Sequence, residues 1–365
     1  MWMLFDYDNV HRALSDHETF SSKHGPVDWL IFQDPPKQVQ LRALISKAFT
    51  PRSIVILQPQ IQELSRELLS HVLDRGEMDL AREFAVPLPM RVIAQLLGVP
   101  TSELDRFTRW NDVILEMSYL VGAAPSAETS ALFHKFLATT GEMSEYLAGV
   151  LAQRREDQKD DLLTRLAHAE LDGQRLTHQD ILGFFQLLLL AGSETTTNLI
   201  NNAILCFIEF PDQLELLRRR RELLESAIEE VLRFRSPLQW MYRVAKRDVQ
   251  LGGQTIPQGE LVLSVIGSAN RDGKHFKDAE RFDITRDPNP HLAFGHGTHF
   301  CLGAALARLE AKIALSELLA ALDDIRLASA EPWEPRKGLH VHGPSRLPIR
   351  FTARRRAGSL NASPG

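Results

Sequence analysis

The stretch FGHGTHFCLG, from Phe294 to Gly303, places Cys301 among glycines and histidines. The only other cysteine in the chain is Cys206. A thiolate is a soft nucleophile and metal ligand. A metal, backbone N–H groups or a helix N-terminus can stabilise it. A helical pattern, LGAALARLEAKIALSELL, follows Cys301 directly, and Gly295, Gly297 and Gly303 clear space where backbone must approach something bulky and flat. A thiolate serving as the sole protein ligand of an iron porphyrin satisfies all of these conditions. The plain alternative is a buried structural cysteine beside a glycine turn. Zinc is the rival metal, with His291, His296, His299 and Cys301 as ligands, although the paired C-x-x-C or H-x-x-x-H elements usual for zinc are missing.

A second place for chemistry is LLLAGSETTTN, residues 188–198. Gly192 costs a helix interior about 1 kcal/mol against alanine. Glu194 and Thr195 are polar in an otherwise apolar stretch. One reading is a kink whose hydroxyls bond back to carbonyls one turn earlier. The other is an oxygen-handling site: Gly192 leaves a groove for dioxygen, the Thr195 hydroxyl holds a water or the bound oxygen, and Glu194 feeds protons inward. In EEVLRFRSP (229–237), Glu230 and Arg233 stand at i, i+3. On a helix surface such a pair is worth a few tenths of a kcal/mol.

The elements that must hold these groups are mostly helical. Leu41, Leu44, Ile45 and Ala48 form one apolar face before Pro51, and further helical patterns cover roughly 54–74, 88–97, 102–117, 130–154 and 160–170. The segment 121–130 reads as a loop. Thr177 opens a long helix with Asp180 as its capping-box partner, and no proline follows until Pro211. That allows about 33 residues, or about 50 Å. Strand signals are WMLF at the start, a hairpin region at 248–266 with glycines at its turns, and LPIRF near the end. The expected architecture is mainly α with a minor β region, as a single domain over 1–353, followed by a disordered tail at 354–365.

Composition bounds the function. At 365 residues, 44% hydrophobic and 24% charged, the chain can bury a large core. A net charge of −5 gives no case for nucleic-acid binding, and the run Arg218–Arg221 reads as a solvated helix face. Two cysteines make no disulfide framework, which fits a reducing compartment. The first ten residues lack the basic region and apolar core of a signal peptide, and the most apolar stretch, 181–192, is too short to span a bilayer. A cytoplasmic protein with no membrane span is expected, by default a monomer.

FGHGTHFCLG resembles the haem-binding loop of the cytochromes P-450, F-x-x-G-x-x-x-C-x-G, with Phe294, Gly297, Cys301 and Gly303 at its fixed positions. Other motifs of that family follow the same order along nearly the whole chain. Residues 188–198 resemble its acid–alcohol segment, with Glu194 and Thr195 as the pair and Ala191 and Gly192 lying against the haem. Glu230 and Arg233 match E-x-x-R, which implies a structural salt bridge. Arg243 and His299 occupy the places of propionate-binding residues. DPPKQVQLR (34–42) resembles the early haem-contacting helix, D-P-P-x-H-x-x-x-R. Arg42 fits that pattern, but Gln38 stands where the family has histidine and brings no charge. Family members usually have another helix and strand before the segment at Trp2, so this chain is expected to be either naturally short or truncated, with that edge of the small sheet exposed or covered differently.

The resemblance implies a helical prism with haem b between the long central helix (the family's I helix) and the helix after Cys301 (its L helix). The implied activity is a haem-thiolate monooxygenase that inserts one oxygen atom from O2 into a hydrophobic organic substrate. Electrons would come from a ferredoxin and its reductase, docking near Lys47, Arg52 and Arg308. The expected pocket comprises Phe185, Leu188 and Ala191, then Leu238, Gln239 and Trp240, and Val341, with 22–33 and 121–128 at its rim. The rival functions are a peroxide-driven peroxygenase or decarboxylase, against which Glu194–Thr195 speaks, and a non-catalytic haem or ligand-binding protein.

Overall fold

The computed structural model describes residues 1–24, 27–118, 126–329, 333–335 and 340–354. Its helices are α1 (Tyr7–Ser15), α2 (Lys37–Ala48), α3 (Pro51–Val55), α4 (Gln58–Ser70), α5 (Pro87–Leu97), α6 (Leu104–Ser118), α7 (Ala127–Glu156), α8 (Leu162–His168), α9 (His178–Glu209), α10 (Pro211–Arg219), α11 (Leu224–Phe234), α12 (Ile266–Ala269) and α13 (Ala304–Ala321).

The long central helix is α9, and it forms as its ends dictate. Thr177 Oγ1 accepts from the Asp180 backbone N–H at 3.1 Å, and the Asp180 carboxylate accepts from the Thr177 N–H at 2.9 Å. Pro211 stops it. Helices α5, α6, α11 and α13 pack around it. Its flanks are nearly all buried, so the main core wraps this helix. Among the described residues no helix is long and apolar enough to cross a membrane.

Several expected boundaries shift. The pattern at 54–74 splits into the end of α3 and α4, because Pro59 is tolerated only in a first turn. The loop expected at 121–130 ends at Ser126, which caps α7 through the Thr129 N–H; residues 127–130 are helical, and 119–125 lie outside the described residues. Arg354, placed in the tail by its sequence, donates its backbone N–H to the Ala321 carbonyl; 355–365 lie outside the described residues.

The β part is small. Strands β1 (Trp2–Leu4) and β2 (Phe20–Ser21) flank a sheet whose inner strands come from 241–264. Strand β3 (Glu77–Asp79) joins a sheet formed near the C-terminus, and β4 (Glu170–Leu171) with β5 (Gln174–Arg175) is a short hairpin. The region 248–266 is not one hairpin. After β6 (Met241–Ala245), β7 (Val249–Leu251) and β8 (Gln254–Ile256) pair around Gly252–Gly253, both at positive φ, while β9 (Leu261–Ser264) inserts between β1 and β6. β1 runs parallel to β9 and forms the sheet edge. The remaining strands are β10 (Leu322–Leu327), β11 (Glu334–Pro335), β12 (Pro344–Arg346) and β13 (Pro348–Ala353), with β13 between β10 and β3.

α1 and the first sheet build a second, smaller core with Phe276 and Leu292. Tyr7 OH donates to the Pro290 carbonyl at 2.7 Å, and the His11 and His296 rings lie 4.1 Å apart. A Cβ on Gly297, at φ +71°, would come within 3.0 Å of Ser15 Cα. The first helix of the chain therefore lies directly against the cysteine loop.

Candidate functional site

The cysteine loop is held from several directions. Cys301 N–H donates to the Phe294 carbonyl at 2.9 Å, closing the loop on itself. Gln38 of α2, fully buried, donates from Nε2 to the Thr298 carbonyl at 2.8 Å. Arg308 of α13 stacks on the Phe294 ring at 4.4 Å and grips Glu229 with two bonds of 2.7 Å. His291 Nε2 lies 3.0 Å from the same carboxylate. Arg308 and His291 hold the Glu229 carboxyl down at about 2 against its burial. Burial pushes the Cys301 thiol up, while the N–H groups of Gly303 and Ala304 and the charges of Arg42 and Arg308 oppose it. The helix start thus supplies the anion-stabilising donors, and a soft metal ion would complete the deprotonation.

The zinc reading fails on this geometry. His291 faces Glu229, His296 faces His11, and His299 Nε2 lies 3.0 Å from Ser22 Oγ, so the candidates do not converge on Cys301. Among the described residues no metal-holding group of three or more His, Cys, Asp or Glu occurs.

Beside the loop, three basic side chains gather. Arg243, on the inner strand β6, is 3% exposed, and among the described residues its guanidinium donates only to the neighbouring Tyr242 carbonyl. Burial pulls its pKa down to about 10. His299 is lowered to about 4 by burial and by the charges of Arg243 and Arg42, with Asp34 opposing. Arg42 is lowered by burial. The carboxylate among them, Asp34, is engaged by Ser21 Oγ and the Ser22 N–H. A buried guanidinium with one weak partner calls for anions. Two propionates of a haem match that demand, and Arg42, Arg243, His299 and Cys301 would hold the group. Gln38, its Oε1 without a partner among the described residues, serves the loop backbone rather than adding charge.

Along α9, Leu188, Ala191, Gly192 and Thr195 keep accessible surface while the flanks are buried, at the i, i+3, i+4, i+7 spacing of one face. Thr195 Oγ1 donates to the Ala191 carbonyl at 2.6 Å. Its hydroxyl therefore does bond back one turn, and its lone pairs remain to accept. At Gly192 helix α5 comes close: a Cβ there would sit 2.9 Å from Ile93 Cδ1. Glu194 is 6% exposed and accepts from Asn198 Nδ2 at 3.1 Å. It lines a cavity of about 280 Å³ with Arg82, Arg91, Asn111, Asp112 and Ser193.

Glu230 and Arg233 are both fully buried, joined at 2.8 Å; Arg286, Asn289 and the Asp283 N–H also serve Glu230. This is a buried network and not the surface pair that the spacing alone suggests. Among expected pocket residues, Phe185 is fully buried among Phe107 and Trp110, leaving no surface for a substrate. Gln239 turns away, its Nε2 bonded to the Ser236 carbonyl and its amide packed on Gly267. Leu238 and Val341 form a β-bridge, and the Trp240 ring lies 4.4 Å from that of His340, tilted by 40°. Of the rim, Trp29 Nε1 donates to Gln186 of α9 at 3.0 Å; Gly25 and Pro26 lie outside the described residues. Sequence reasoning missed Glu229, whose doublet with Glu230 was the available signal, and Asn198, one turn beyond Glu194.

Residues 1–323 match the family model "Cytochrome P450". "Putative cytochrome P450 YjiB" of Bacillus subtilis (strain 168) is 40% identical over 92% of this chain and 85% of that protein. "Vitamin D(3) 25-hydroxylase" of Pseudonocardia autotrophica is 36% identical over 96% of this chain and 87% of that protein. The solved structure of CYP109E1 from Bacillus megaterium in complex with testosterone superposes with a TM-score of 0.87 at 40% identity, covering 96% of this chain and 93% of that one. With its cysteine loop, its buried E-x-x-R network and its cluster of Arg42, Arg243 and His299 in place, this chain belongs to the bacterial cytochrome P450 monooxygenases, oxidoreductases whose cofactor is haem b.

Proposed function

We propose that the enzyme hydroxylates or epoxidises a hydrophobic organic molecule of steroid-like size, with electrons from a ferredoxin and its reductase. The observation that carries the reading is the open face of α9, where apolar Leu188 and Ala191 run into the one accessible hydroxyl, Thr195. Relatives named for vitamin D(3) hydroxylation and crystallised with testosterone support the substrate size.

Bound haem supplies the oxygen activation and the oxidising power. Cys301 is its ligand, and Arg42, Arg243 and His299 bind its carboxylates. Leu188, Ala191, Leu238, Trp240 and Val341 supply apolar contacts and exclude water from the substrate. The Thr195 hydroxyl, its O–H donated in a hydrogen bond to the Ala191 carbonyl, accepts a hydrogen bond from a water on the open face. The Glu194 carboxyl group, beside the cavity, carries protons toward it.

Arg308 is committed to Glu229, so the docking charges are Lys47 and Arg52. Arg52 stands on α3, which packs against α13 and ends at exposed Val55 and Ile56. Two unpaired cysteines support a cytoplasmic setting.

The test is a spectrum and a screen. Reduced with dithionite and exposed to carbon monoxide, the protein should show the long-wavelength Soret band of a thiolate ligand, lost in Cys301→Ala. Testosterone and vitamin D3 should shift the spin state, and NADPH should drive their oxygenation through a surrogate ferredoxin pair. Turnover with hydrogen peroxide and none with the reductase system would refute the proposed electron route.

A further inference from the structure

Beyond Glu194, the same side of α9 carries Asn198, Asn201 and Asn202, at i+4, i+7 and i+8. All three are fully buried. Such a run is costly in a helix core unless each amide finds partners, yet several of these polar atoms find none among the described residues. Among the described residues, Asn198 Oδ1, Asn202 Oδ1 and both polar atoms of Asn201 are without a hydrogen-bond partner. His342 Nδ1 and Arg235 Nη1 add two more such atoms next to them. The groups are contiguous: Asn198 Nδ2 donates to Glu194, Asn202 Nδ2 donates to the carbonyls of Arg235 and His342 at 3.0 Å, and Gly343 packs directly on Asn198. From Glu194 to Asn202 the helix rises about 12 Å. Buried polar groups that cluster without protein partners are the places where proteins keep ordered water.

We propose that a line of buried water molecules runs along Asn198, Asn201 and Asn202 and joins the Glu194 carboxyl group to His342, giving Glu194 a second proton entry separate from the open cavity. This rests on the reading of Glu194 as the proton carrier. When Glu194 releases a proton inward, the adjoining water replaces it, and the deficit passes along hydrogen bonds to His342, which is only partly buried and meets bulk water. Burial and the nearby Arg235 charge hold the His342 ring below its ordinary value. Near pH 7 it is therefore neutral, with one nitrogen to donate and one to accept. Amide side chains suit such a line, since each both donates and accepts without fixing a charge.

The test uses the haem-loaded full chain with Asn201→Leu, His342→Phe and Glu194→Gln. A high-resolution crystal structure of the parent should show ordered waters between Asn198 and His342. Asn201→Leu should lose them and melt at a lower temperature, because Asn198 and Asn202 lose their bridging partners. Substrate-free NADPH oxidation through the surrogate ferredoxin pair should slow severalfold in Asn201→Leu and His342→Phe. The slowing in heavy water should grow, with the carbon-monoxide spectrum unchanged. A dry seam, a higher melting temperature for Asn201→Leu, or unchanged oxidation in both seam variants overturns the proposal. If Glu194→Gln slows oxidation while the seam variants do not, only the second entry is lost. If Glu194→Gln changes nothing, the reading of Glu194 itself falls.

Discussion

Glu230→Gln isolates the carboxylate on which the cysteine-side framework converges. In the folded protein it accepts from Arg233 twice, from Arg286, from Asn289 Nδ2 and from the Asp283 N–H, with both Glu230 and Arg233 at zero exposure. The amide keeps the shape but leaves two guanidinium groups facing no anion and turns an NH2 toward donors. Breaking one partner of a buried pair typically costs about 3–5 kcal/mol. For a chain of 365 residues the unfolding entropy is about 0.8 kcal/mol per kelvin, so the melting temperature should fall by about 4–6 °C. The network also fixes residues 283–289, which lead into the cysteine loop, so haem content measured by the reduced carbon-monoxide spectrum should fall with it. The control is Glu222→Gln, which breaks an exposed pair with Arg220 and should shift melting by under about 1 °C. A shift as small as that for Glu230→Gln would refute the argument from burial.

Three further outcomes are expected. His340 is lowered to about 4 by burial, so the unfolded chain takes up its proton first and stability is lost as pH falls from about 6.5 to about 4, by about 3 kcal/mol; His340→Phe should remove that share of the acid sensitivity in melts at pH 7 and 4.5. Gly192→Ala gains about 1 kcal/mol of helix propensity but presses on the movable Ile93 methyl, so its melting temperature should stay within about 2 °C of the parent. Neutralising Lys47 and Arg52 should slow reduction by the ferredoxin and weaken its salt dependence in stopped-flow, whereas Arg308→Gln should instead disturb the thiolate spectrum, because its charge is bound to Glu229.

What the sequence discloses here is local. Thr177 and Asp180 are three residues apart, and the cap they form needs nothing else. The cysteine loop is likewise ten consecutive residues. Partners distant in the chain stay hidden: Arg308 meets Glu229 across 79 residues, and Gln38 meets Thr298 across 260. Burial is equally silent, since the i, i+3 spacing of Glu230 and Arg233 is the same on a surface as in a core. Phe185 fails as a pocket residue for a related reason. An apolar residue on a central helix can face either the cavity or a neighbouring helix, and only the aromatic rings of α6 decide. The asparagines beyond Glu194 were readable as letters, but nothing in a helical pattern says that several of their polar atoms would find no partner among the described residues.

The seating of Gly297 against Ser15 has a bearing on synthesis. A ribosome adding about 5–20 residues per second needs about 15–60 s between releasing the first helix and the loop that rests on it. Throughout that interval the small N-terminal core lacks Phe276 and Leu292 and has nothing to close upon. The binding loop thus takes its final shape only after residues 276–297 have emerged, so cofactor capture waits on the meeting of two segments made far apart in time.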